Sequence, residues 1–396
     1  MQNYPTFTAL FMVALSLAPS AYAKMPLNCN SGASLAHAVA HAKPGDTIEF
    51  TGNCSGPVII AQDGLTLQGQ GVAVIDGQKQ TAVTVRGVQN IQLVGLEILN
   101  GLNGILVDAQ AQVKLTNVTS HDNAVFGIAL QNLSGATFKD VKTHHNGVIG
   151  LDVESTSAAI LHGQFTTEYN GVFGINVNGG SSLTLNHAQV IAQQNLLGVQ
   201  IGTGASVFLA DSTSSITAQN NHSTGLTVVS GSHLVSFGGT ISAHDNRRNG
   251  VSVNSKAGLD LDAASLLESY ANGGDGVHMA ESSVMTLFNT TAFSGQGGNT
   301  TLKTYNNTGN GIAVLSGSNL TLVNQVVLLS QNNTLAGVQA DNGSALTLLN
   351  VTITGNKTTD VSLAFGVRSD IRSSTVDTIT CDPSVLSRGD KTCPAP

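Results

Sequence analysis

The sequence predicts an all-β solenoid: one long cylinder of short stacked strands, with a single small helix at its N-terminal end. Three observations carry this. An "N-x-x-x-G" unit recurs at a nearly fixed period, period-two apolar alternation follows each unit, and no later stretch has helical spacing. The composition agrees. Of 396 residues only 10% are charged and 4% aromatic, Gly numbers 44, and Trp is absent. With 41% hydrophobic residues the chain can build a core, so it does not read as disordered. The net charge of −8 is mild and spread out. No Lys/Arg cluster suggests nucleic acid or an anionic membrane surface.

Residues 1–23 read as a secretory signal. Thr8 to Ala18 is an apolar run too short to span a bilayer. Ala21, Tyr22 and Ala23 fit a small-x-small cleavage site before Lys24. The segment before the apolar run lacks the usual Lys or Arg. An exported protein that is secreted, periplasmic or held at the cell surface is expected. Four cysteines fit that route: Cys29 and Cys54 near the mature N-terminus, Cys381 and Cys393 at the C-terminus. Three pairings are open, and the local one staples each end separately. A metal site is disfavoured, because no CxxC occurs and the two pairs lie far apart.

In the cap, 24–63, "SLAHAVAHA" (34–42) places Leu35 and Val39 four apart behind Ser34, a helix N-cap pattern. "KPGD" then turns into the strand "TIEF". His37 and His41 lie one turn apart with no third ligand evident, so they are expected to be surface residues.

The repeat region, 64–375, holds units beginning at Asn100, Asn123, Asn146, Asn170, Asn195, Asn221, Asn246, Asn272, Asn307 and Asn333, with a degenerate copy at Asn356. Most copies are 23–26 residues apart, but Asn272 to Asn307 spans 35. "TAFSGQGGNT" (291–300) is the candidate insertion. Apolar residues stand one and three places after each Gly, as in Ile128 and Leu130 or Leu151 and Val153. That period marks strands. A second strand precedes each Asn, with apolar residues five before it (Val118, Val141, Phe165) and small ones three before it (Ser120, Thr143, Thr167). Two or three short strands per 23–26 residues form one coil of a parallel β-helix, about a dozen coils in all. Stacked Asn side chains are expected to bond to backbone and to one another. The Gly is expected to adopt a backbone angle that other residues resist. The C-terminal segment, 376–396, is expected to be closed by its disulfide over the last coil.

Together, "SLAHAVAHAKPGDTIEF", "GLTLQGQGVAVIDG" (64–77) and the repeated unit resemble the right-handed parallel β-helix, or pectin-lyase-like, superfamily. The resemblance implies right-handed coiling, as does the rarity of left-handed crossovers. It says little of function, since that fold hosts lyases, hydrolases, epimerases, metal-delivery proteins and inert adhesins.

Alternation places one column two residues before each Asn on the outer wall: His121, His144, Glu168, Gln193, Gln219, His244, Tyr270, Tyr305 and Gln331. The column two after each Gly, including Ala129, Asp152, Asn176 and Ser252, is also expected to face out, as are Asp108, Glu154 and Asn178 four after it. Ionisable groups are densest near 121–169. A saccharide site would use Asp152, His144 and Tyr169 for acid–base chemistry. His121, Asp122, His145, Glu154, Glu168, Asn176 and Asn178 would then bind substrate. No cofactor is predicted, although His121, His144 and Glu168 in one column could hold a divalent cation. Without Trp, Tyr169, Tyr270 and Tyr305 are the candidate sugar-stacking rings.

The resemblance weakens catalysis. The Asn-Thr-Asp, Asp-Asp, Gly-His-Gly and Arg-Ile-Lys signatures of polygalacturonase-like members are absent. Of the Asp-Pro-His-Asp of mannuronan epimerases, "GLDVES" keeps only Asp152. Arg247 and Arg248, the only adjacent basic pair, lie several coils from the acidic patch. The leading expectation is a monomer that binds or modifies an extracellular polysaccharide or cell-surface glycan along its polar face. The alternative is a non-catalytic adhesion or structural protein whose stiff wall is itself the product.

Overall fold

The computed structural model describes residues 26–290, 298–323 and 326–393. The signal segment and most of the candidate insertion lie outside those residues. All the strand pairing runs coil to coil in two sheets, of 23 and 14 strands. The smaller sheet takes one strand per coil, which makes 14 coils. Its strands include Phe126–Leu130, Ile149–Val153 and Phe173–Val177. They pair in parallel with Ile128, Leu151 and Ile175 in one column. In the larger sheet the early coils use long strands, such as Gln112–His121 and Gly135–His144. Each is bent at one left-handed residue, Asn117 and Asp140 respectively. Later coils split there into two strands, as in Ser206–Leu209 and Ser215–Gln219.

The core is a set of columns. The position five before each Asn is filled by Val118, Val141, Phe165, Val190, Ile216, Ile241, Leu267, Leu302, Leu328 and Val351, none more than 2% exposed. Burying each such side chain is worth about 1.5–3 kcal/mol.

The Asn column is an unbroken amide ladder. From Asn123 to Asn333, each Nδ2 donates to Oδ1 of the Asn in the next coil, and so does each backbone N–H, as between Asn146 and Asn170 at 3.0 and 3.1 Å. The other Nδ2 hydrogen goes to the small residue three before an Asn: Asn246 donates to the Ala218 carbonyl at 2.9 Å, and Asn123 to Ser120 Oγ at 3.2 Å. Both hydrogens and both lone pairs are therefore used inside a dry corner.

Two sequence expectations change here. Asn100 is not in the ladder. Leu99 pairs with His121, so Gly101 takes the ladder position and donates its N–H to Asn123 Oδ1 at 2.9 Å. Asn100 sits at φ 55° and bonds to Asp76 instead. Nor do the repeat glycines adopt left-handed angles; what they lack is room. A Cβ on Gly127 would lie 2.6 Å from the Gly150 carbonyl oxygen and 2.7 Å from Asn146 Nδ2. The left-handed position is the residue just before each Asn, for example Asp122, His145, Tyr169, Gln194 and Asp245, at φ 51–56°.

Helix α1 (Leu35–Ala40) covers the N-terminal end. Ser34 Oγ accepts from His37 N–H, and Leu35 and Val39 are buried. His37 and His41 are exposed and their rings touch at 4.1 Å. Disulfides join Cys29 to Cys54 and Cys381 to Cys393. The second ties across the last coil, which carries the strands Ile379–Cys381 and Leu386–Gly389.

Candidate functional site

The ladder fixes the register of the outer column two residues upstream. His121, His144, Glu168, Gln193, Gln219, His244, Tyr270, Tyr305 and Gln331 are successive Cα partners. Stacking at the interstrand distance brings flat side chains face to face. The His121 and His144 rings are parallel at 4.5 Å. His121 lies between two carboxylates, Nε2 at 2.8 Å from Glu97 and Nδ1 at 2.6 Å from Asp122. Glu168 follows, with Lys142 Nζ at 2.6 Å and Gln193 donating to it at 2.6 Å. Gln219 donates in turn to Gln193 at 2.7 Å.

The left-handed corner residues form a second, more exposed line. His145 stacks on Tyr169 at 5.1 Å, and its Nδ1 meets His144 Nδ1 at 2.9 Å. One nitrogen of that pair carries the proton and the other accepts it. Tyr169 is 50% exposed, and its other ring face has no ring partner among the described residues.

Burial, with the like charges of His121, Lys142 and His145, lowers the His144 pKa to about 4, so the ring is neutral at pH 7. Burial alone would raise Glu168, but the hydrogen bonds from Lys142 and Gln193 hold it below the usual range. Lys142 and Glu168 thus satisfy each other across adjacent coils.

Asp152 belongs to a different group. It does lie on the outer side of its strand, but it is only 2% exposed, and its neighbours Ala129 and Asn176 are buried too. The expectation of a solvated column fails here. Burial, aided by Glu154, raises the Asp152 pKa to about 6, against the hydrogen bond that Asn176 donates at 2.7 Å. Asn178 Oδ1 accepts from Gly179 N–H and shapes the following turn.

The patch therefore divides. His121, Asp122, His144, His145, Glu168 and Tyr169 form one contact network, and Asp152, Glu154 and Asn176 another. No contact found among the described residues joins them. Sequence reasoning missed Glu97, Lys142 and the Gln193–Gln219 pair as members of the first network. The signal was available for Lys142, Gln193 and Gln219, which stand at fixed offsets from the repeated Asn, whereas Glu97 keeps the Lys142 offset only from Gly101.

Among the described residues no three His, Cys, Asp or Glu side chains are arranged to hold a metal ion. Tyr270 cannot serve as a stacking platform, since His244 covers one ring face at 4.6 Å and Tyr305 the other at 4.8 Å. Among the described residues no helix is long and apolar enough to cross a membrane, which says nothing of β-barrels.

The comparisons agree with this geometry at the level of the fold. Residues 61–222 match the family described as "Right handed beta helix region". The chain is a right-handed parallel β-helix. Among solved structures it is similar to a periplasmic alginate epimerase, AlgG, at 11% identity and TM-score 0.51, covering 84% of this chain and 77% of that one. It is also similar to the A-module of the Azotobacter vinelandii mannuronan C-5 epimerase AlgE6, at 16% identity and TM-score 0.44, covering 90% and 93%. The likeness to AlgG shows the fold alone. No curated protein matches the sequence.

Proposed function

We propose that this is an exported protein that binds an extracellular polysaccharide along its outer corner, at residues 121–169, without chemically altering it. The observation that carries this reading is the ordered outer column. Planar hydrogen-bonding groups repeat at the coil spacing beside Tyr169, which stacks on His145 and is half open to solvent. A regular polymer meets a regular wall with the same contacts in successive coils. Pyranose rings combine an apolar face with a hydroxyl rim, and a half-exposed Tyr suits both. The names of the similar structures, enzymes acting on alginate and mannuronan, agree with a polysaccharide ligand.

Binding is favoured over catalysis because the candidate acid–base residues do not converge. Asp152 is buried against Asn176, in a network separate from that of His144 and Tyr169. A general base must reach its proton directly or through one water. Two disulfides support an oxidising compartment outside the cytoplasm.

A glycan-array screen with product detection tests the proposal on wild type, Tyr169→Ala and the double variant His144→Ala/Asp152→Ala. Array binding that Tyr169→Ala abolishes, without new products and without sensitivity to a chelator, is the expected result. Products that the double variant eliminates would make the protein an enzyme. Absence of any glycan binding would leave a non-catalytic adhesion or structural wall.

A further inference from the structure

The larger sheet has a second wall, formed by the part of each coil that precedes the left-handed bend. On it, successive Cα partners make one outward row along the cylinder. Polar residues hold most of that row, as at Lys114, Thr137, Thr184, Thr286 and Thr321. Phe208 and Val235 interrupt it in adjacent coils, within the strands Ser206–Leu209 and His233–Phe237. Ile160 stands apart from them, beyond Thr184. Phe237 lies two residues after Val235 and so shares its face. The Phe208 and Phe237 rings meet edge to face at 5.7 Å, and the residues are 36% and 41% exposed. An apolar patch of this kind, rimmed by polar groups, is the mark of a binding surface.

Polar groups complete the patch on its other two sides. His233 lies two residues before Val235, and Asp260 is the partner of Val235 in the next coil. His233 Nε2 stands 2.9 Å from Asp260 Oδ2. That bond depends on the residue opposite His233, which is Gly258. A Cβ there would lie 2.6 Å from His233 Nδ1. Glycine thus leaves the imidazole room to lie across the next coil and reach the carboxylate. The hydrogen bond to Asp260 in turn raises the His233 pKa. Among the described residues, neither His233 Nδ1 nor Asp260 Oδ1 has a hydrogen-bond partner. The neighbouring carboxylates are occupied. Asp262, the partner of Phe237, accepts from the Thr290 N–H and hydroxyl and is 2% exposed. Asp211 accepts from the His187 N–H and from Thr213 and Ser214. Lys256 is exposed on the turn two residues before Gly258.

We propose that Phe208, Val235, Phe237, His233 and Asp260 form a carbohydrate site, separate from the corner, that takes one pyranose unit of a glycan. The C–H face of the sugar packs on the two phenyl rings and Val235. Its hydroxyl rim turns to Asp260 Oδ1, which accepts, and to His233 Nδ1. A sugar is the occupant that uses both halves of the patch. A wholly apolar ligand would cover the carboxylate without bonding to it. An anion would meet Asp260 and leave the phenyl rings unused. An organic cation would compete with the more basic His233 ring for the same carboxylate. The site lies on a different wall from residues 121–169 and does not rest on the reading of that corner.

Calorimetric titration of the full chain with short cello-, manno-, xylo- and chito-oligosaccharides tests this. Circular dichroism of each variant checks the fold. Phe208→Ala/Phe237→Ala should weaken binding of the preferred series by about tenfold. Asp260→Ala should weaken it as well, and Asp260→Asn, which keeps an acceptor oxygen, should do so less. Tyr169→Ala should leave this binding unchanged. Loss in the double Phe variant alone sustains the site even where the corner binds nothing. Binding that Tyr169→Ala abolishes and the double Phe variant retains would overturn it while the corner site stands. No binding by any series would overturn it too.

Discussion

Two columns run side by side through the same corner, two residues apart in every coil. The inner one is Asn from Asn123 to Asn356 without exception. The outer one changes from His to Glu, Gln and Tyr. Both obey one register, so the difference is environment. An inner amide sits in a dry corner, where only a side chain with two donors and two acceptors satisfies itself and its neighbours. An outer group needs only to be flat or short enough to stack. Fold is thus written in the column that cannot vary, and the adjoining column is free to carry a surface function.

Breaking the inner column should have the largest effect. Asn221→Leu orphans donors from Asn195 and removes the bonds to Asn246 and the Ala192 carbonyl. At about 1–3 kcal/mol per orphaned buried group, a loss of at least ~3 kcal/mol is expected in urea denaturation. Gln219→Leu, in the same coil on the outer column, should stay within about 0.5 kcal/mol. Equal losses would end the distinction.

Asp152 sharpens the comparison, because it is an outer-face residue in an inner-like environment. Its folded pKa of about 6 lies above its ordinary 3.8. The folded state therefore binds the proton more tightly than the unfolded chain does. The resulting stabilisation is complete below pH 4 and is lost as pH rises through 6. Asp152→Asn should stabilise the protein at pH 7 by up to about 3 kcal/mol, with the gain vanishing near pH 4. Thermal melts across that range check it.

His144 runs the other way, on a ring less deeply buried than Asp152. Its pKa is lowered to about 4, so the unfolded chain takes up the proton first as pH falls below 6.5. Stability from the neutral ring is lost between there and pH 4. In His144→Gln that acid-side loss should disappear. An unchanged pH profile would show that the ring is not held in the stacked pocket. The smallest effect expected is on stability in Tyr169→Ala, within about 0.5 kcal/mol, which is why that variant can isolate binding.

The strand periods, the core columns, the Asn ladder and the capping helix were legible because each depends on residue type at a fixed spacing. The misreadings have a common origin. Alternation says which side of a strand a residue occupies, but not whether solvent reaches it, so Asp152 and Asn176 were placed on the wall correctly and assumed wet. The Gly after each Asn was credited with an unusual backbone angle. The tight spot is set by the Asn and the backbone of the following coil, which no local pattern displays. Lys142 and Glu168 lie on consecutive coils and meet only through register. That register becomes exact once Asn100 is replaced by Gly101 at the first corner.

The ladder has a direction. From Asn123 to Asn333, each side-chain amide sends one N–H towards the C-terminal end, to the next Asn Oδ1, while most of the others turn back to a carbonyl of the preceding coil. The row opens on the backbone N–H of Gly101, which satisfies the first oxygen. It closes at Asn356, whose Nδ2 donates to the Asp360 carboxylate at 3.0 Å, a group only 2% exposed. The row therefore has a donor at one end and acceptor oxygens at the other. Asp360 thus closes the row as a cap: Oδ1 accepts from the Asn356 N–H and Nδ2, Oδ2 accepts from the Thr378 N–H and hydroxyl, and the last coil is tied to the ladder through one side chain.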